Sequence, residues 1–405
     1  MKKAIISIIG FLVFSFSPAQ DLEMLINTAL ENSPEIQKFE LQNKILIEKV
    51  NEVNTVPNTE VGVGYFVSEP ETRTGAQRLK VSAKQMIPWF GSITARENYV
   101  SSIAEAQYED IVIHKRKLVV SVTQSYYNIY AIKAKQKVLS ENIELLETFE
   151  TLALTSVEVG KASAVDVLRL QIRQNELEQR KQVLEQDYLA EQTRFNKLLN
   201  RDKLMAITLV NELSIPDNDD PIINQNIELH PELIKYDKVL KSVEQSELLN
   251  QKESNPMLGF GLDYIAVSER PEMSFKDNGK DIIMPMLSLS IPIFNNKFKS
   301  RSLQNELKEQ EIKYQRQDRL NKLITALDKA ITKRTAARIS YITHSQNLEQ
   351  AKNAEDILIK NYETGTIDFI DVLDIQELQL KFQINQIQSI RDFYMQSALI
   401  NYLSN

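Results

Sequence analysis

Little in this 405-residue chain could carry covalent chemistry. It has no cysteine, hence no thiol nucleophile and no disulfide framework. Its three histidines, His114, His230 and His344, stand far apart in sequence. His230 precedes Pro231 at an expected helix start and the others fall in long helices, so they read as solvated or packed groups rather than metal ligands. The glycine-spaced stretch "VGVGYF" has the pattern of a strand with small residues on one side, not of a phosphate loop. No catalytic residue, cofactor or metal is expected. What recurs instead is a pair of glycine motifs, "SVEVGKASAVDVLRLQIRQ" at 156–174 and "NYETGTIDFIDVLDIQELQ" at 361–379. With Gly160 laid over Gly365 they agree at seven of nineteen positions, among them Asp166 and Asp371. Glycine permits the positive φ that a tight helix reversal needs, and a carboxylate early in the returning helix suits the helix dipole.

The elements that must carry these turns are long helices. Only 10 Gly and 12 Pro occur, and straight-chain residues dominate, a mixture that favours helix over turns. No proline occurs between residues 89 and 215 or after 293, leaving long helices at 92–155 and 296–363. Each would run roughly 100 Å at 1.5 Å per residue. Leu320, Ile324, Leu327 and Ile331 follow the spacing of a coiled-coil seam. The net charge is −7 without a basic block, which argues against nucleic acid as a partner.

The N-terminus reads as a signal peptide over residues 1–19: Lys2 and Lys3, an apolar run, then small residues before Gln20. The apolar run is shorter than the ~20 residues a membrane-spanning helix needs. The protein is therefore expected to be exported, and the absence of cysteine rules out a lipid anchor through an N-terminal cysteine.

Four landmarks return in the same order, which makes the chain a duplication. "LENSPEI" pairs with "IELHPEL", "VGVGY" with "LGFGL", "MIPWFGS" with "SIPIFNN", and one glycine motif with the other. The first repeat is placed at 20–202, with strands at about 59–68 and 77–88 and its helical turn at about 156–165. The second is placed at 226–405, with strands at about 257–267 and 282–292 and its turn at about 361–370. Residues 203–225, acidic and containing proline, read as an irregular connector. The two short helices of each repeat together match the length of its long helix, as in a bundle of uniform height.

The strand segments alternate with period two. Val61, Val63, Tyr65 and Val67 oppose Glu60, Gly62, Gly64 and Ser68; Leu79, Val81 and Ala83 oppose Lys80, Ser82 and Lys84. In the second repeat Leu258, Phe260, Leu262 and Tyr264 oppose Gly259, Gly261 and Asp263, and Leu287, Leu289 and Ile291 oppose Ser288 and Ser290. With rod-like helices on either side, little else in the chain could cover the apolar face. A transmembrane barrel would satisfy it, with apolar residues toward lipid and polar or small ones toward a lumen. Four strands cannot close a barrel, and open edges in lipid cost several kcal/mol per group. The hairpins must then be pooled between chains, and the arithmetic allows two, three or four of them. Trp89, the only tryptophan, falls at a strand exit, where an interfacial aromatic or a packed one would stand.

The signal peptide, the duplicated helix–hairpin–helix unit, the "SPEI" and "HPEL" openings, the "IPWF" and "IPIF" strand exits and the paired "G-x5-DVL-x2-Q" motifs together resemble the outer membrane efflux protein family, the TolC-like channels. The resemblance extends from about Asp21 to Tyr402. It implies a homotrimer in the outer membrane of a Gram-negative bacterium, with a twelve-stranded barrel continued by twelve helices as a periplasmic tunnel. It implies the exit duct of a tripartite efflux or type I secretion system, passively conducting what an inner-membrane pump delivers with a periplasmic adaptor protein. It implies adaptor contacts at Val159, Gly160, Lys161, Thr364, Gly365 and Thr366, and a pore constriction at Asp371 and Asp374. Tip gating in the family matches Tyr362 and Asp166 here. The arginine of the family's latch is replaced by Ile367, and Arg169 stands where the second motif has Asp374, so the latch cannot form in the usual way. The rival expectation is an exported coiled-coil structural or adaptor protein with a soluble β-domain, which would leave the paired turns and the four lipid-like strands unexplained. Neither expectation involves an enzyme, and the transported compound is not legible in the sequence.

Overall fold

The computed structural model describes residues 18–159, 163–218, 227–364, 366–367 and 369–404, without the side chains of 18–21 and Glu363. The signal-peptide segment up to Ser17 and the turn residues Gly160, Lys161 and Gly365 lie outside the described residues, as does the connector from 219 to 225. The chain is mostly helical with one small sheet. In order it runs α1 (Pro18–Asn32), α2 (Pro34–Val53), β1 (Glu60–Tyr65), β2 (Glu71–Thr72), β3 (Gly75–Ile87), α3 (Ser92–Glu158) and α4 (Ala164–Leu198). After a 3-10 turn at Ile227–Leu229 come α5 (Pro231–Glu253), β4 (Met257–Val267), β5 (Ile282–Ser290), α6 (Lys297–Glu363) and α7 (Phe369–Ser404). No helix among the described residues is long and apolar enough to cross a membrane.

The helical stretch that opens the first repeat is broken between Asn32 and Pro34. Proline has no N–H to donate into a preceding turn but fits the first position of a new helix. Ser33, buried, caps that helix by accepting from the Ile36 amide at 3.4 Å. Pro231 restarts the chain in the same way after the 3-10 turn.

The chain divides into two compact units. One comprises residues up to Ile36, His114–His230 and Lys322–Asn405. Its helices pack in three apolar clusters. The largest draws Leu139, Leu146 and Phe149 from α3, Val167, Leu170 and Leu177 from α4, and Phe369, Val372 and Leu380 from α7. A second centres on Tyr126, Ile129, Phe195 and Leu199, and a third on Ile215, Ile390 and Phe393. Residues 203–218 run without regular structure, so side chains must satisfy their backbone. Tyr126 and Tyr130 accept from the Val210 and Leu213 amides at 3.1 and 2.9 Å, and Tyr394 donates to the Ser214 carbonyl at 2.8 Å. Burial pushes the Tyr130 and Tyr394 hydroxyls up from their ordinary pKa, so they stay neutral, able to donate, across the physiological range.

On α6 the seam expected from spacing is not the one buried within the chain. Leu323, Ala330 and Ala337 are buried, one heptad apart, whereas Ile324 of the expected row is 42% exposed. The four-three rhythm fits both rows, and only the neighbouring helices decide which one is covered.

The other unit comprises Gln37–Ile113 and Pro231–Asn321 and holds the sheet. Its strand order is β1-β3-β4-β5, all antiparallel, with β2 paired to β3. The two hairpins of the duplication thus lie side by side through β3 and β4, leaving β1 and β5 as edges within the chain. Val61, Val63 and Tyr65 of β1 are 71, 71 and 69% exposed, and Leu287 of β5 is 74% exposed. Around the helices, Lys235 and Lys238 of α5 pair with Asp110 and Glu109 of α3 at 2.6 Å each.

Candidate functional site at the two helical turns

The site is built where α3 reverses into α4 and α6 into α7. Ser163, in extended conformation (φ −89°, ψ 139°), caps α4 by accepting from the Val165 amide at 3.2 Å. Asp166 follows in the first turn and pairs with Arg169 at 3.7 Å, the neighbouring acid that the sequence offers this arginine. At the second turn three groups converge on one carbonyl. The Thr366 amide and the Thr364 and Thr366 hydroxyls all donate to the Asn361 oxygen, at 3.0, 2.9 and 2.8 Å. They satisfy a carbonyl that the end of α6 would leave unpaired. Val159, Thr364 and Thr366 are exposed.

Behind the turns each helical hairpin is closed by the same clasp. The Glu150 carboxylate of α3 accepts from Gln171 at 2.7 Å and Gln174 at 2.9 Å, both on α4. The Glu355 carboxylate of α6 accepts from Gln376 at 3.0 Å and Gln379 at 2.6 Å, both on α7. Two glutamines three residues apart lie on one helix face, so each can take one oxygen of the same carboxylate. The hydrogen bonds from Gln171 and then Gln174 hold the Glu150 carboxyl below its ordinary pKa. These glutamines are the ones that match between the two motifs, and Glu150 and Glu355 precede their glycines by the same distance. The sequence therefore contained the signal for the clasp, although only pairing across the hairpin reveals its use.

The predicted site residues fall into two groups. Tyr362 is half-buried against Phe369, ring centroids 5.1 Å apart, and belongs to the apolar cluster rather than to the helix surface. Among the described contacts, Asp166 pairs with Arg169, not with Tyr362. Asp371 and Asp374 are exposed, three residues apart on α7. Asp374 lines a cavity of about 180 Å³ together with Arg169, Arg173 and Glu377. Arg173, missed by sequence reasoning, joins α4 to α7. It donates to Glu377 at 3.3 Å and to Glu176 at 2.9 Å while only 19% exposed. What the arrangement can do is electrostatic: it sets carboxylates of α7 against guanidinium groups of α4.

No protein-family model matches the chain, and no curated protein does. Solved structures do. The outer membrane protein VceC of Vibrio cholerae aligns over 96% of this chain and 96% of its own, with a TM-score of 0.74 and 16% identity. The CmeC outer membrane channel of Campylobacter jejuni aligns over 95% of this chain and 85% of its own, at TM-score 0.77 and 14% identity. The MtrE outer membrane channel of Neisseria gonorrhoeae, in its open state, aligns over 93% and 89%, at 0.68 and 15%. Aligned over more than nine-tenths of its length, the chain has the fold of the TolC-family outer membrane channels, the family its motifs resemble.

Proposed function

We propose that the protein is an outer membrane channel, the exit duct of a tripartite efflux or type I secretion system. The observation that carries this reading is the sheet: a row of exposed apolar side chains on one face, and outer edges of β1 and β5 that pair with no other strand among the described residues. Water penalises the exposed apolar row, open edges invite pairing with another chain and are costly in lipid, and a lipid-facing barrel shared between copies removes both features. Three copies would close twelve strands, and their helices would continue as a twelve-helix tunnel through the periplasm. Exposed apolar side chains on α6, Ile324 and Ile339 among them, would supply apolar surface for the neighbouring copy.

In this assembly the turns face the adaptor protein, through Val159, Gly160, Lys161, Thr364, Gly365 and Thr366, and the inner-membrane pump lies beyond. Asp371 and Asp374 contribute six carboxylates near the axis, which favours cations in the constriction. With Ile367 in place of the family's arginine, Tyr362 and Asp166 take part in gating without the usual latch. The Arg173–Glu377 pair ties α4 to α7 by charge.

Light scattering on the detergent-extracted outer membrane fraction, with detergent mass subtracted, tests the assembly. Three chains per particle are expected; a soluble monomer independent of detergent would replace the channel by a coiled-coil protein with a soluble β-domain. In planar bilayers the trimer should conduct and be blocked by multivalent cations. Asp371→Asn with Asp374→Asn should weaken the block, and unchanged block would remove the two aspartates from the constriction.

A further inference from the structure

The face of the sheet opposite the apolar row is polar and small, with one exception. Lys80, Ser82 and Lys84 of β3, Gly259, Gly261 and Asp263 of β4, and Ser288 and Ser290 of β5 share it by strand alternation. Lys80 forms an ion pair there with the fully buried Asp263. Four of the chain's nine methionines stand on the same face. The pairing sets them one to a level. Met257 lies opposite Ser290, and Met86 lies opposite Gly259, itself opposite Ser288. Gly261 lies opposite Met286, and Asp263 opposite Met284. Successive levels are two residues apart, roughly 7 Å along an antiparallel strand.

The glycines of β4 make room for these side chains. A Cβ on Gly259 would stand 2.5 Å from Met86 Sδ, and one on Gly261 would stand 3.2 Å from Met286 Cε. Met86 therefore reaches across β4, where its sulfur lies 3.9 Å from Ser288 Oγ. Met286 leans over β4 from the other side one level on. The thioethers lie in a trough along the middle strand; Met284 and Met286 are 40 and 36% exposed, and Met86 and Met257 are half-buried. Beside lysine, serine and aspartate, Met86, Met286 and Met284 complete no apolar core; at one end Met257 lines a cavity with Trp89 and Phe298, and at the other Ile265 and Ile282 stand level with Lys80.

Thioether sulfur is uncharged at every pH and is a poor ligand for hard cations, but it suits soft monovalent ions. We propose that Met257, Met86, Met286 and Met284 form a binding track for Cu(I) or Ag(I). As a site, the track stands on the sheet alone. As a contact for passing cargo it rests on the channel reading, in which this face lines the lumen.

Ag(I), added as the nitrate to the full-length protein in detergent with 13C-labelled methionine methyl groups, is the probe. The four methyl signals should shift at roughly a hundredfold lower Ag(I) than those of Met24 and Met205, because neighbouring ligands act at high effective concentration. Met24 and Met205 are themselves 61 and 48% exposed, so accessibility alone would favour them. Met86→Leu with Met286→Leu, similar in volume, should return Met257 and Met284 to the response of Met24. Met257→Leu with Met284→Leu is the second pair, should the first fail to fold. Equal response of all methionines, or Ag(I) affinity unchanged in a folded double variant, would overturn the site. Conductance is read separately in bilayers: a chain that binds Ag(I) yet never conducts refutes the channel reading and leaves the site standing, whereas one that conducts without binding does the reverse.

Discussion

At the α3–α4 turn the returning helix begins on Ala164, and at the α6–α7 turn it begins on Phe369, the residue in the same place of the motif. Ala164 is exposed, whereas Phe369 is 5% exposed and packs edge-on against Phe149 at 5.5 Å as well as on Tyr362. Three positions on, both helices bury a valine, Val167 and Val372, in the same apolar cluster. Both also carry the glutamine pair that clasps a glutamate. Arg169 and Asp374, again in matching places, then differ in sign. The duplication has thus kept what folds a helical hairpin and changed what its exposed faces present. The second turn puts an aromatic anchor into the core and carboxylates on its surface; the first contributes the arginines.

The anchor should give the largest difference between the turns. Phe369→Ala removes a buried ring and is expected to cost roughly 3–5 kcal/mol, read as a lowered thermal midpoint of the helical signal. Val167→Ala and Val372→Ala should each cost about 2 kcal/mol and resemble one another. A Phe369→Ala loss no greater than that of the valines would mean the aromatic contacts are not what distinguishes the second turn.

The clasps come next. Gln376 is buried, 6% exposed, whereas its counterpart Gln171 is exposed. Charge-assisted hydrogen bonds are stronger where water is excluded, so Glu355→Ala should cost about 2 kcal/mol, and Glu150→Ala less. Equal losses would indicate that water reaches both clasps alike. Glu150 adds a dependence on pH. Its carboxyl is held below its ordinary value of 4.5 in the folded chain. Its contribution is therefore complete above the unfolded pKa and disappears as pH falls through the lower folded value. Melting midpoints taken from pH 6 down through about 4.5 and below should converge for the natural chain and Glu150→Gln; parallel curves would show that the clasp is not coupled to ionisation.

Much of this was legible in the sequence, for physical reasons. Scarcity of glycine and proline forces long helices, and period-two alternation marks β1, β3, β4 and β5 because side chains in a strand point to opposite faces. The break at Pro34 was also written in the chain, since proline cannot donate to the preceding turn, but helical composition on both sides hid it. Two things could not be read from one linear pattern. Leu320, Ile324, Leu327 and Ile331 have seam spacing, yet Leu323, Ala330 and Ala337 are the buried row, because burial is decided by the partner helix. Arg173 looked like one more charge on a helix. Only the closeness of α4 and α7 gives it Glu377.

That pair should give the smallest effect on stability, and it bears on the largest gap in the comparison, the absence of an arginine at Ile367. Arg173 divides its guanidinium between Glu176 on its own helix and Glu377 on α7, and both carboxylates are more than half exposed. An ion pair with one solvated partner is worth about 0.5 kcal/mol and is screened by salt. Arg173→Gln should therefore lower the midpoint slightly at low ionic strength and by nothing measurable at high ionic strength. A double-mutant cycle with Glu377→Gln isolates the term, since each variant keeps a hydrogen-bonding side chain of similar size. A coupling near the surface value means that α4 and α7 are held by their shared apolar cluster. A coupling several times larger, together with raised conductance of the Arg173→Gln protein under the proposed channel reading, would make the first turn's arginine the counterpart of the arginine that the family's motif has at Ile367.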